Sequence, residues 1–246
     1  MAAGSSLHFT IRPLPKAVPV TQTRFMCALV IIDAVKQDLL PLLDGLPPEI
    51  IWDPTAALMQ RLTSGEKADG LFAIDSYMQE MVADGRLLAE TFVPVVQAEF
   101  GIAVQQGMQV DAPRNAGELI ALLREVPSIV MSRAGASGIY FEKLIDRLGI
   151  GDEVRAKALI IPAGLTGEKL VSGEAVLAFQ QISELKAVPG ISMVGPLPDD
   201  CQQVTDFSAA VFSDARDPEG ARRFIDLIRS PEAAASFTAR GLRLRF

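Results

Sequence analysis

Three short segments hold the side chains that could do chemistry. The first is Ser132-Arg133-Ala134-Gly135-Ala136-Ser137-Gly138-Ile139-Tyr140-Phe141. The apolar run ending at Met131 predicts a strand, and a helix is expected to start at about Ser137. The first N–H groups of a helix lack partners within it and carry partial positive charge, so such a turn binds anions. Gly135 and Gly138 allow close backbone approach. Ser137 offers a hydroxyl, and Arg133 can grip a carboxylate through two parallel hydrogen bonds. A plainer role suits the same residues, with Ser137 capping its own helix and Arg133 solvated at the surface.

The second segment, Trp52-Asp53-Pro54-Thr55-Ala56-Ala57-Leu58, repeats the pattern: a short strand, then a helix opened by Thr55. In open α/β sheets ligands sit at the carboxyl ends of strands, so two such turns could face one cleft. The third segment runs from Gly173-Glu174-Ala175 to Gln180-Gln181-Ile182-Ser183-Glu184. An apolar strand there ends in polar groups that could face the same cleft or simply leave the sheet. Trp52 reads best as core. Asp33 reads as a helix-start carboxylate, and Asp69 as a turn brace. His8 falls in a proline-rich arm. No phosphate-binding glycine loop and no nucleophile elbow occurs.

Alternating strand-like and helix-like stretches must position these segments. Strands are expected at Phe25–Leu29, Glu49–Trp52, Gly70–Ile74, Phe92–Val96, Phe100–Val104, Ser128–Met131, Lys157–Ile161, Ala175–Gln180 and Ser192–Gly195. Helices are expected at Asp33–Leu43, Thr55–Leu62, Ser76–Ala83, Leu119–Arg124, Gly138–Leu148 and Gly167–Val171. Two more should begin at Asp217-Pro218 and Ser230-Pro231, each a cap residue before a proline at the first helical position. The alternation implies a mostly parallel sheet flanked by helices. The expected organisation is an N-terminal arm over 1–22, a first lobe from 23–100 and 194–246, and a second lobe over 101–193.

The chain has 246 residues, 49% of them hydrophobic and 22% charged, which suits a globular fold with real cores. Its formal net charge of −7, without a basic stripe, argues against nucleic acid as a partner. Cys27, Cys201 and the single histidine cannot make a Cys/His metal site, and no cofactor is expected. No apolar run approaches the ~20 residues of a membrane helix. Met1 to Thr23 lacks the apolar core of a secretory signal. The chain as written therefore reads as cytoplasmic, or as periplasmic if an export signal was removed or missed.

Several of these stretches together resemble the molybdate-binding-protein-like solute-binding proteins, which have the type II periplasmic-binding fold. They are Thr55-Ala56-Ala57-Leu58 through Gly65-Glu66-Lys67-Ala68-Asp69, then Ala134 to Gly138 with Leu148-Gly149-Ile150, then Gly173 to Glu184 followed by Gly195-Pro196-Leu197-Pro198. The resemblance spans about residues 24–244. It implies two α/β lobes closing on a small anion, with Thr55, Ala56, Ser137 and Gly138 in the anion turns and, in an exported protein, transporter membrane components as partners. Molybdate binders place a serine in the first turn, where this chain has Ala28, Leu29 and Val30. One hydroxyl is lost there, and Arg133 suits a carboxylate better than a tetrahedral oxyanion. The same branch resembles the aconitate isomerases, which move a double bond in a tricarboxylate. That resemblance implies carboxylate clamps at Arg133, Thr55 and Ser137 and a proton carrier, with Glu184 first and Tyr140 second; Gln181 and Ser183, at the polar end of the third segment's strand, are expected as ligand contacts beside them.

Overall fold

A computed structural model describes residues 22–133 and 135–246. The expected arm, His8 and Ala134 lie outside the described residues, apart from Gln22 at the end of the arm. Among the described residues, ten strands form a continuous sheet that divides into two halves along one long strand. The first half orders β2 (Glu49–Trp52), β1 (Arg24–Cys27), β3 (Gly70–Ile74), β9 (Val204–Val211) and the start of β4 (Val93–Gln105). β1 is parallel to β2 and β3, whereas β9 is antiparallel to β3 and β4. The second half orders the end of β4, then β7 (Leu177–Gln181), β5 (Ile129–Ser132) and β6 (Ala158–Ile161). β8 (Ile191–Pro196) and β10 (Arg243–Leu244) also pair with β4, each antiparallel.

The lobes meet where β4 changes partner. Glu99 pairs with Val204 of β9, and the next residue, Phe100, pairs with Gln181 of β7. The two stretches expected at 92–96 and 100–104 are thus one strand shared by both lobes. The return crossing follows β8, which stays whole on the second half although the expected lobe boundary at 194 falls inside it. Gln202 braces the crossing: its side-chain amide accepts from Phe100 N–H at 3.0 Å and donates to Phe100 C=O at 2.9 Å.

Apolar positions fill a core on each half. Phe25, Phe72, Phe207, Phe224 and Phe237 are buried in the first, and Phe100, Phe141, Phe179, Leu119 and Ile145 in the second. Each such side chain contributes about 1.5–3 kcal/mol on burial. Helix ends follow local chemistry. Asn115 caps α4 (Ala116–Glu125), Asp217 caps α9 (Pro218–Leu227) and Ser230 caps α10 (Pro231–Ala239), each by accepting a backbone N–H. Gly70 is required because a Cβ there would lie 2.2 Å from the Phe25 ring.

Several elements depart from expectation. The first helical run begins at Leu29, passes through one α-helical turn, α1 (Ile32–Ala34), and ends at Leu42 after π and 3-10 turns. β9 had no sequence signal, because its residues Ser208, Ala209 and Ala210 are small yet fully buried between β3 and β4. α6 (Gly151–Arg155) and α8 (Ile182–Lys186) are five residues each, too short for an apolar period to show. No described helix is long and apolar enough to cross a membrane.

Candidate ligand site between the lobes

Helices that follow the parallel strands start at the strands' carboxyl ends. These are α2 (Thr55–Thr63) after β2, α3 (Asp75–Ala83) after β3, α5 (Ala136–Arg147) after β5, α7 (Gly167–Val171) after β6, and α8 after β7. Their cap positions are Pro54, Ile74, Gly135, Thr166 and Gln181, and none of these side chains caps its helix. The contrast with α4, α9 and α10 leaves first-turn N–H groups open at the ends where α/β sheets bind ligands.

Thr55 is buried, and its Oγ1 accepts from Ile74 N–H at 3.3 Å, tying the β2 turn to the β3 turn. Ala56 follows it in the first turn and is half-buried. Ser137 is buried in the first turn of α5. Ser132 Oγ accepts from Gly135 N–H at 3.2 Å, and a Cβ on Gly135 would touch the hydroxyls of both Ser132 and Ser137. Gly138 lets α5 press on the strand end, since a Cβ there would overlap Ser132 C=O at 1.5 Å. Arg133 is exposed beside this turn, and its guanidinium has no hydrogen bond or ion pair among the described residues.

On the first lobe, by contrast, the nearby guanidinium groups are already matched. Arg240 lies 2.6 Å from Asp33 and 2.7 Å from Asp38, and Arg245 is 3.2 Å from Asp75. Burial pushes the Asp75 carboxyl up, but hydrogen bonds from Ser208 and Arg245 outweigh it and hold it below its ordinary value.

β7 and α8 bring the remaining residues to the junction. Phe179 packs on Phe141 of α5 with ring centroids 4.3 Å apart, so Gln181, two residues on, continues the α5 face of the sheet. Gln181 and Ser183 are each 2% exposed, and Gln181 Nε2 and Ser183 Oγ have no partner among the described residues. Buried polar groups left unpaired are costly, which makes these two candidates for a ligand contact. Glu184 follows, buried in the same turn. Burial pushes its carboxyl up to about 8, against smaller opposing effects of the Gln180 side chain and the Gln181 backbone. α8 packs against Leu29–Ile31 and α1 of the first lobe, and Lys186 Nζ donates to Ala239 C=O at 3.2 Å. The turn at Gln181–Glu184 therefore sits beside Leu29, and Ala28 N–H is already given to Phe72 C=O.

Tyr140 lies elsewhere. Its hydroxyl donates to Cys201 C=O at 2.7 Å, and its ring stacks on Phe100, so it belongs to the second core and braces the return crossing. A cavity of about 1010 Å³ opens between residues 108–114 and α4, and none of the candidate residues lines it. Among the described residues, no three His, Cys, Asp or Glu side chains gather as a metal site. The buried, hydrogen-bonded pair Gln180 and Thr166 gives no signal in the sequence: Gln180 falls in a polar strand exit, and Thr166 carries no pattern of its own.

Two α/β halves joined at a shared strand, with open helix N-termini and unpaired buried donors at their junction, define a two-lobed binding protein. The chain belongs to the bacterial extracellular solute-binding protein family, whose model matches residues 45–243. It is 35% identical over 192 residues to an aconitate isomerase of a Pseudomonas species, covering 78% of this chain and 73% of that one. Its fold matches the periplasmic molybdate-binding protein of Azotobacter vinelandii with a TM-score of 0.73 at 16% identity, over 92% of this chain and 100% of that one. The sulfate-binding protein SubI of Mycobacterium tuberculosis matches with a TM-score of 0.65 at 13% identity, over 92% and 87% of the two chains.

Proposed function

We propose that the protein binds a small carboxylate anion between its lobes, as a solute-binding protein. The observation that supports this best is the pair of buried, unpartnered donors, Gln181 Nε2 and Ser183 Oγ, at the junction with the first lobe. Thr55, Ala56, Ser137 and Gly138 supply helix N-terminal N–H groups and hydroxyls. Ala28 and Leu29 line the first-lobe wall with apolar surface and the Leu29 backbone. Arg133, with no partner among the described residues, closes on a carboxylate from the rim. Neutral donors with one guanidinium suit a planar carboxylate with several oxygen groups. In this reading the protein works outside the inner membrane and delivers its ligand to the membrane components of a transporter.

A second reading, an isomerase of unsaturated tricarboxylates, is favoured by the 35% identity to an aconitate isomerase and by Glu184. A carboxyl near pH 8 exchanges protons readily at neutral pH. In its ionised form Glu184 takes a proton from the allylic carbon, and that C–H pair becomes the new double bond. The old double-bond pair takes the proton back at its far carbon. Protons and electrons balance without a cofactor.

Titration calorimetry with cis- and trans-aconitate, citrate, succinate, molybdate and sulfate tests both readings. Binding confined to carboxylates is expected, and binding confined to molybdate or sulfate would overturn the carboxylate assignment. Proton NMR of a bound unsaturated acid then reports whether the double bond moves. Binding without movement leaves a solute-binding protein.

A further inference from the structure

α8 belongs to the second lobe, yet both of its ends touch the first. Its first residue, Ile182, is half-buried and lies on β4 one residue past Phe100, where that strand has changed partner: a Cβ on Gly101 would stand 2.7 Å from Ile182 Cγ1. The same side chain reaches the first lobe, where a Cβ on Gly241 would stand 3.0 Å from Ile182 Cγ2. Two bare α-carbons, one on the shared strand and one just past α10, thus flank a single isoleucine. Gly241 has φ +82°, the left-handed turn that ends α10. Gly241 N–H donates to Thr238 C=O and Leu242 N–H to Phe237 C=O, each at 3.0 Å, which fixes that end. Ala239 C=O is among the carbonyls a helix end leaves open, and it accepts from Lys186 Nζ, at the far end of α8, at 3.2 Å. Between these two anchors α8 packs on Leu29–Ile31 and α1. Gln181 Nε2 and Ser183 Oγ are shut off from solvent in this arrangement, so a ligand reaches them only when α8 parts from the first lobe.

We propose that Ile182 and Lys186 form a latch between the lobes, which engages as they close on a ligand and helps to hold it without touching it. The proposal deepens the two-lobe binding reading and rests on it. The contacts of Ile182 with Gly241 and of Lys186 with Ala239 C=O join one lobe to the other, so they stabilise the closed form alone. Every ligand that binds the closed form gains that same stabilisation, whatever its chemistry. Ile182 contributes the larger share, because its contact removes apolar surface from water. Lys186 is exposed, and an exposed charge contributes little.

The test is calorimetry of the wild type, Ile182→Ala and Lys186→Met with trans-aconitate, citrate and succinate, joined to solution scattering of each protein free and saturated. Ile182→Ala should weaken every acid that binds the wild type by one common factor of about five or more. Its free form should have a larger radius of gyration than the free wild type, and its saturated form the wild-type radius. Lys186→Met should act in the same direction by about twofold, and it carries the test should Ile182→Ala not fold. Losses that differ by more than about threefold between acids would place Ile182 against the ligand and overturn the latch. Unchanged affinity in both variants, or equal radii of the free proteins, would overturn it as well. If none of the acids binds the wild type, the carboxylate reading falls, and the radii of the free proteins alone decide whether α8 latches the lobes.

Discussion

Glu184 exchanges the hydration of an exposed carboxylate for an apolar pocket, and its proton affinity records the cost. Its folded value of about 8 stands above the ordinary 4.5. Between these values the folded protein holds a proton that the unfolded chain has released. The stabilising contribution is therefore complete below about pH 4.5 and lost as pH rises through about 8. Glu184→Gln, which cannot ionise, should gain roughly 2–4 kcal/mol relative to wild type between pH 5 and pH 9. Urea midpoints at both pH values measure this. The same substitution should spare ligand binding and abolish any double-bond movement. Arg133 sits at the opposite extreme, exposed and solvated, so its contact with a carboxylate is screened. Arg133→Ala should weaken carboxylate binding by about tenfold, read by calorimetry, and an unchanged Kd would remove Arg133 from the site.

Helix starts divide the molecule by purpose. Asp217 accepts from Gly220 N–H at 3.0 Å and from the Thr23 hydroxyl at 2.5 Å, serving both α9 and the entry to β1. Removing it in Asp217→Ala should cost about 1–2 kcal/mol of stability and leave ligand affinity unchanged. Ser137 opens α5 without capping it. Ser137→Ala should therefore change stability by less than about 0.5 kcal/mol and still weaken ligand binding. A large stability loss in Ser137→Ala would show that the hydroxyl supports the fold instead. Denaturation and calorimetry on the two variants side by side separate caps that build the scaffold from hydroxyls that face the ligand.

At the scale of the molecule, the lobes are joined by one strand and one returning segment, and both pass Phe100 and Gln202. The return is pinned to the second lobe by Tyr140 on Cys201 C=O and by Arg147 on Asp200 C=O at 3.2 Å. A rotation of the lobes, if the ligand drives one, is expected at the peptides around Glu99–Phe100 and Gln202–Val204. A bound carboxylate should raise the melting temperature in proportion to the logarithm of its concentration and shrink the radius of gyration in solution scattering. A raised melting temperature with unchanged scattering would mean that the ligand binds without closure.

The sequence by itself determined the layered α/β character and the turns at Thr55 and Ser137. These rest on local physics: apolar alternation, cap residues before prolines, and glycine where backbone must come close. It also determined that Gln181, Ser183 and Glu184 follow one apolar strand. What only the tertiary structure decided is which of these polar groups are buried and left without partners. Tyr140 and Ser137 lie three residues apart on one helix, yet one hydroxyl ends on Cys201 C=O and the other at the open end of α5. That difference depends on where residues 197–203 return, a contact some sixty residues away along the chain. β9 makes the same point, since its small residues form a central strand only because β3 and β4 sandwich them. Glu184 is shifted for the same reason. A carboxyl's proton affinity is set by the surfaces packed around it, and α8, which carries Glu184, packs against Leu29–Ile31, β4 and β8, segments that no local pattern assigns to it.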